Sequence, residues 1–290
     1  MNAQRIGLIL LAGLALGSTA SVIRIGIAEI HPITLVVLRL GIATLAFAVT
    51  LPLFRVGLPR DSHIWWDILL VGLTQGFQLL AFTIAVQYIS SAVLAIFIAM
   101  VPFFTAIMGY FWLTQERLNL RRWSGLLTAF AGVLFLILTR TSGLVGLTSG
   151  VELRGQLLAL AGAVISAAGI VYARLRLREV NAVVVTAGQM LTGFVLTLPF
   201  AIVLNNTDLS IVTWRGWFAT LYTAMIGSYL GFLLLFYMVR RYSATVSVLP
   251  AYLMPPISAT IGALFLGEII TPSLIGGAVL ILIGLFLASQ

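Results

Sequence analysis

The sequence predicts an all-α integral membrane protein with ten transmembrane helices arranged as an inverted 5+5 repeat. Three observations lead there: an apolar composition, ten stretches of spanning length, and one segment written twice about half a chain apart. Of the 290 residues, 61% are hydrophobic and 8% charged, with a mean hydropathy of +1.14. A water-facing protein of this size could not cover its surface with so few polar groups. All 16 cationic side chains are arginine, and most sit at the ends of apolar runs. The net charge of +8 therefore reads as a set of topology signals, with no nucleic-acid partner implied. Cysteine is absent, which removes disulfides, thiol nucleophiles and thiolate metal sites from consideration.

A spanning helix needs ~20 predominantly apolar residues. The first candidate is Ile6–Ala28; its small Gly17-Ser18-Thr19-Ala20-Ser21 stretch resembles a signal-peptidase site. Its apolar run exceeds the ~7–15 residues of a signal core and more spans follow, so it reads as a retained helix. Next come Pro32–Phe54, with Arg39 about two turns inside, and Ile64–Gln87, which sets Gln75, Gln78 and Phe82 on one helical face. Ser91–Leu113 carries Pro102 at its middle, and Trp123–Thr139 closes the first half. The polar, glycine-rich connection Thr141–Leu153 is the longest and divides the chain. Beyond it lie Gly155–Ala173, Ala182–Leu204, Trp214–Val239, Ala244–Leu266 and Ser273–Ala288. Several short connections carry Pro, Gly, Asn or Asp, as helix stops should.

The duplication shows best around the fourth and ninth spans. YISSAVLAIFIAMVP ends at Pro102 and YSATVSVLPAYLMPP at Pro256; each apolar run that follows stops at an acid, Glu116 or Glu268. Gly125 and Gly132 then match Gly277 and Gly284 in offset. Two units follow, residues 1–145 and 150–290. Because five is odd, the second must enter the membrane from the opposite side, giving a pseudo-two-fold axis in the membrane plane. Placing the N-terminus in the cytoplasm puts eleven arginines on the inner side (Arg5, Arg55, Arg60, Arg117, Arg121, Arg122, Arg174, Arg176, Arg178, Arg240 and Arg241). Only Arg140, Arg154 and Arg215 then lie outside, so both termini are expected to be cytoplasmic.

In such repeats a binding site tends to lie near the midplane beside interrupted helices. Pro102, Pro250, Pro255 and Pro256 are the expected helix-break and gating residues, because proline has no N–H for the carbonyl four residues earlier. The freed acceptors are Ile98, Val246, Ala251 and Tyr252, which must find protein, water or a ligand. Ser18, Gln75, Gln78, Ser166, Ser228 and Tyr229 fall close to the bilayer centre, where they either tie helices together or face a solute. Phe82, Phe97, Met100, Tyr222 and Tyr252 supply apolar and aromatic walls, or simply pack the core. Every Asp, Glu and His lies in or near a loop or helix end, so no proton relay is written at depth. Arg39 either meets a solute carboxylate or pairs with helix-end carbonyls or Glu29; Glu116 and Glu268 read as helix-end anchors. No metal-spaced acidic pair, HExxH, phosphate loop or Ser/His/Asp set is present, so an enzyme is not expected, and no metal or cofactor. Proline-broken helices in an inverted repeat fit an alternating-access carrier better than a channel or receptor.

The two tyrosine-led copies, their mid-helix prolines, terminal glutamates and Gly-x6-Gly pairs resemble the EamA family of the drug/metabolite transporter superfamily. Leu16-Gly17-Ser18 and Pro32-x6-Arg39 are similar to that family's opening pattern. The chain departs from it at Leu16, where a tryptophan is expected, and in having three prolines in the ninth span. Length and character are similar to the YddG-type exporters of aromatic and other neutral amino acids. The resemblance implies export of a small-molecule substrate, an amino acid or related metabolite, across the bacterial inner membrane. It also implies a multi-pass chain in the lipid bilayer, working as a monomer.

Overall fold

The computed structural model describes residues 3–53, 56–112, 120–139, 142–144, 150–204, 208–241 and 244–288. Among the described residues every regular element is helical. The first half contains α1 (Ala3–Gly26), α2 (Pro32–Leu53) and α3 (Ser62–Ala85), followed by α4 (Ser91–Ala99), α5 (Val101–Trp112) and α6 (Leu120–Leu138). The second contains α7 (Val151–Arg176), α8 (Ala182–Leu204), α9 (Trp214–Tyr222), a π-helical segment (Thr223–Leu230), α10 (Gly231–Arg241), α11 (Ala244–Phe265) and α12 (Pro272–Ala288). Among the described residues seven stretches are long and apolar enough to cross a membrane, and Trp123–Leu138, Leu249–Phe265 and Pro272–Gly284 are shorter apolar helices.

Local chemistry sets the helix ends. Asp61, Ser90 and Thr213 accept hydrogen bonds from the first-turn amides of His63, Val93 and Arg215. Pro32 and Pro272 occupy first helical positions, where their missing N–H costs nothing. At the end of α11, Gly267 takes φ +65°, and the Glu268 amide bonds back to the Gly262 carbonyl at 3.1 Å. This left-handed glycine stop reverses the chain and returns Glu268 towards the helix bundle.

Helix directions can be read from close approaches at glycine. A Cβ on Gly284 would lie 2.3 Å from the Ala129 amide nitrogen and 2.6 Å from the Gly125 carbonyl, and one on Gly132 would lie 3.0 Å from the Gly277 carbonyl. The two duplicated Gly-x6-Gly pairs therefore pack on each other, antiparallel. Gly155, Gly162 and Gly169 meet Tyr88, Phe82 and Thr74 in reverse order, so α7 runs antiparallel to α3. Ile68, Gly72 and Gly76 meet Gly188, Thr192 and Thr197 in the same order, so α8 runs parallel to α3. Gly13 and Gly17 meet Leu253 and Ile257, so α1 and α11 are parallel as well. All four relations are those of a chain whose second half is inverted against its first.

The largest buried cluster is centred on α4, whose Val93, Leu94, Phe97 and Met100 are fully enclosed. At Pro102 the helix breaks as expected: Met100 N–H tightens onto the Phe97 carbonyl at 3.1 Å, and α5 restarts at Val101. The ninth span corrects the expectation. Pro250, Pro255 and Pro256 all lie inside the continuous helix α11. A proline removes one N–H yet keeps a helical φ, and with the adjacent Pro255 and Pro256 the losses fall within a single turn, so the helix continues past them. Instead it is the eighth span that is interrupted, by the π-helical segment. Glu116 lies outside the described residues.

The Gly284 contact yields a test of this packing. Gly284→Ala should cost ~2–3 kcal/mol or more, because backbone of α6 stands in the way. Gly7→Ala, in open space, should cost nothing. Thermal unfolding of the purified variants in detergent would check both.

Candidate functional site

The glutamine pair lies on the inner side of α3. Gln75 and Gln78 are both buried, and Gln78 Nε2 donates to Gln75 Oε1 at 2.5 Å. That bond satisfies half of each amide. Among the described residues, Gln75 Nε2 and Gln78 Oε1 are buried with no hydrogen-bond partner. One turn further on, Phe82 enters the cluster around α4. Leaving a buried amide donor and acceptor unpaired costs ~1–3 kcal/mol each. Among the described residues the pair's one hydrogen bond is internal, from Gln78 to Gln75.

A second polar group forms where α1 and α2 meet the rod containing the π-helical segment. Ser18 on α1 and Tyr222 share a hydrogen bond of 2.8 Å. Arg39 Nε on α2 donates to Ser228 Oγ at 2.8 Å. Thr50 and Tyr229 hydroxyls lie 2.8 Å apart, and the Tyr229 ring meets Phe47 edge-on at 4.9 Å. Widening the helix by one residue per turn re-aims the side chains that follow, so one rod serves two neighbours. Sequence patterning gave no sign of the π-helical segment, and Thr50 was not expected here. Arg39 is not paired with Glu29: that carboxylate accepts from the Thr213 amide at 2.8 Å and hydroxyl at 2.6 Å. The Thr213 hydroxyl holds the Glu29 carboxyl below its ordinary range.

The remaining expected residues fall into two settings. Phe97 and Met100 are fully buried, and Ile98 and Tyr252 pack partly buried against the same cluster as Phe82. Ser166 is partly buried on α7 and, among the described residues, hydrogen-bonds to neither polar group. Pro102 is partly buried, Pro250 and Pro255 buried, and Pro256 exposed.

Glu268 holds a third group together. Its carboxylate accepts from the Ser91 amide and the Ser91 hydroxyl, both at 2.8 Å, so it caps the start of α4. Arg24 Nε approaches it at 3.4 Å while Arg24 Nη1 donates to the Val86 carbonyl at 2.8 Å. Ser21 Oγ bridges Ser91 Oγ at 3.1 Å and Ser258 Oγ at 3.2 Å. The expected helix anchor is thus real, but the helix it anchors is α4, 177 positions away in sequence.

A multi-pass helical chain, folded against its own inverted copy around buried polar groups, has the build of a membrane transporter. The chain belongs to the EamA-like transporter family, which matches residues 5–138 and again residues 153–290. It is 22% identical over 272 residues to the uncharacterized transporter YoaV of Bacillus subtilis, covering 93% of this chain and 91% of the relative. It is 28% identical to the uncharacterized transporter YvbV of the same organism, covering 86% and 81%. An uncharacterized transporter of Archaeoglobus fulgidus is 24% identical, covering 86% and 87%. A solved crystal structure shares the fold with a TM-score of 0.69 at 20% identity, over 99% of this chain and 98% of that one. The protein is a membrane transporter and not an enzyme.

Glu268→Ala should destabilise the protein by ~2–4 kcal/mol, because it strands the buried Ser91 amide and leaves the partly buried Arg24 guanidinium without its counter-charge. Glu268→Gln, which keeps an acceptor, should lose less. Unfolding of both variants in detergent at one pH would establish the order.

Proposed function

We propose that this transporter exports small organic solutes, most favourably neutral amino acids, by alternating access between two five-helix units. The observation that carries this reading is the glutamine pair: a buried amide donor and a buried amide acceptor, side by side on α3, with no partner among the described residues. A zwitterion brings both complements, a carboxylate for the Gln75 donor and an ammonium for the Gln78 acceptor. Phe82 and the apolar cluster beside it suit an aromatic or aliphatic side chain. Solutes with a second charge, such as lysine or glutamate, would leave that charge without a partner in a low-dielectric interior. With no Asp, Glu or His written at midspan, transport should run down the solute's own gradient.

Counterflow in proteoliposomes against an amino-acid panel tests the reading, since a carrier exchanges labelled for unlabelled solute and a receptor does not. Replacing Gln75 and Gln78 together by leucine should weaken apparent affinity about tenfold or more, two hydrogen bonds being worth ~0.5–1.5 kcal/mol each. Unchanged affinity in a properly inserted double variant would make the pair structural.

Ten spans in the bacterial inner membrane, with both termini cytoplasmic, complete the proposal, on the strength of the arginine asymmetry. A cysteine replacing Ser142 should react with an impermeant thiol reagent applied to intact cells, and one replacing Ser62 should not. The native chain has no cysteine to interfere.

A further inference from the structure

We infer that Arg39 is a solute-binding residue that receives the carboxylate of the transported molecule. The inference rests on the carrier reading above and deepens it, by giving the carboxylate a charged partner in place of the Gln75 donor and leaving the Gln78 acceptor to the solute's ammonium.

Arg39 is only 5% exposed, on the face of α2 that meets the π-helical segment. Its Nε is committed to Ser228, a neutral group. Among the described residues no hydrogen bond or ion pair engages either terminal nitrogen; the acids in ion pairs there are Glu268, with Arg24, and Asp67, with Arg176. Glu29, the acid nearest in sequence, is held by Thr213. A guanidinium inside a membrane protein without a counter-charge is costly. Arginine also stays protonated where lysine could shed its proton, so neutralisation is not an escape. In a transporter the missing anion can be the passenger.

A glycine beside the guanidinium keeps it uncrowded. A Cβ on Gly227 would sit 3.2 Å from Nη2 and 2.7 Å from the Thr19 side chain, so a side chain at 227 would crowd the guanidinium. The Ser228 bond orients the plane of the fork through Nε and leaves the two terminal nitrogens for a carboxylate, the geometry arginine matches with paired hydrogen bonds. The π-helical segment that supplies Gly227 and Ser228 is a feature often found at functional sites. Salt-bridge chemistry thus selects the class: solutes with one carboxylate are accepted, and amines or uncharged analogues are not.

The test uses purified full-length protein and three probes of matched shape: L-phenylalanine, 3-phenylpropionate and 2-phenylethylamine. Binding is read as ligand-induced thermal stabilisation, and transport as counterflow. Wild type should respond to the two carboxylates and not to the amine. Arg39→Gln should lose about tenfold or more in affinity for both carboxylates, and Arg39→Lys should recover part of it. Arg39→Gln removes a buried charge, so Gly227→Ala offers a second variant: it leaves Arg39 in place, costs some stability because its Cβ meets Thr19, and should weaken the carboxylates when assayed where the unliganded variant is folded. A response to 3-phenylpropionate alone would uphold Arg39 and sink the amino-acid reading. A response to the amine alone, no response to any probe, or equal carboxylate affinity in folded Arg39→Gln would each overturn the assignment.

Discussion

Close approach of helix backbones at glycine is the constraint on which this fold depends. In a bilayer, lipid tails solvate leucine as well as a neighbouring helix does, so apolar surface alone cannot hold helices together. What remains is dense packing, and density requires that something small stand at each crossing. Here Gly284 against Ala129, Gly72 against Thr192, Gly162 against Phe82 and Gly17 against Ile257 set the separations and registers of four helix pairs. The polar groups inherit their positions from these registers. Gln75 and Gln78 lie on the same helix as Gly72 and Gly76, and Ser18 lies one residue from Gly17.

The polar interior divides into groups with different physical characters. Around Glu268 the carboxylate, the Ser91 amide and three serine hydroxyls are all engaged, and three helices from both halves, α1, α4 and α11, are joined in one network. That arrangement favours rigidity. The glutamine pair and Arg39 are the opposite, buried polar groups whose hydrogen-bonding capacity exceeds what the protein supplies. A stable fold tolerates such unmet capacity where something else completes it, and the family's transport role gives that something a place.

Much of the fold was legible in the sequence because a membrane restricts the options to long apolar helices, and because the duplicated Tyr, Pro, Glu and Gly pattern exposed the repeat. Pro102 gave its break away by lacking an N–H. The prolines of α11 misled, since a local hydrogen-bond loss says nothing about whether neighbouring turns will carry the helix onward. The π-helical segment was not read from the sequence: TAMIGSYL has one glycine and no proline, and a lone glycine does not distinguish a widened turn from ordinary helix. Several site residues were recognised by depth alone, yet their partners were not, because Ser18 and Tyr222, or Arg39 and Ser228, are separated by 204 and 189 positions.

The antiparallel crossing of Gly125 and Gly132 with Gly284 and Gly277 has an ancestral meaning. A motif that packs against its own inverted copy is self-complementary, as in a two-fold symmetric dimer. A half-length chain inserted in both orientations would make the same contact between separate molecules, with no new surface to invent. Joining the halves in one polypeptide fixes one copy in each orientation and frees the two copies to diverge. The unequal features found here, one break at a proline and another at a π-helical turn, are what such freedom permits.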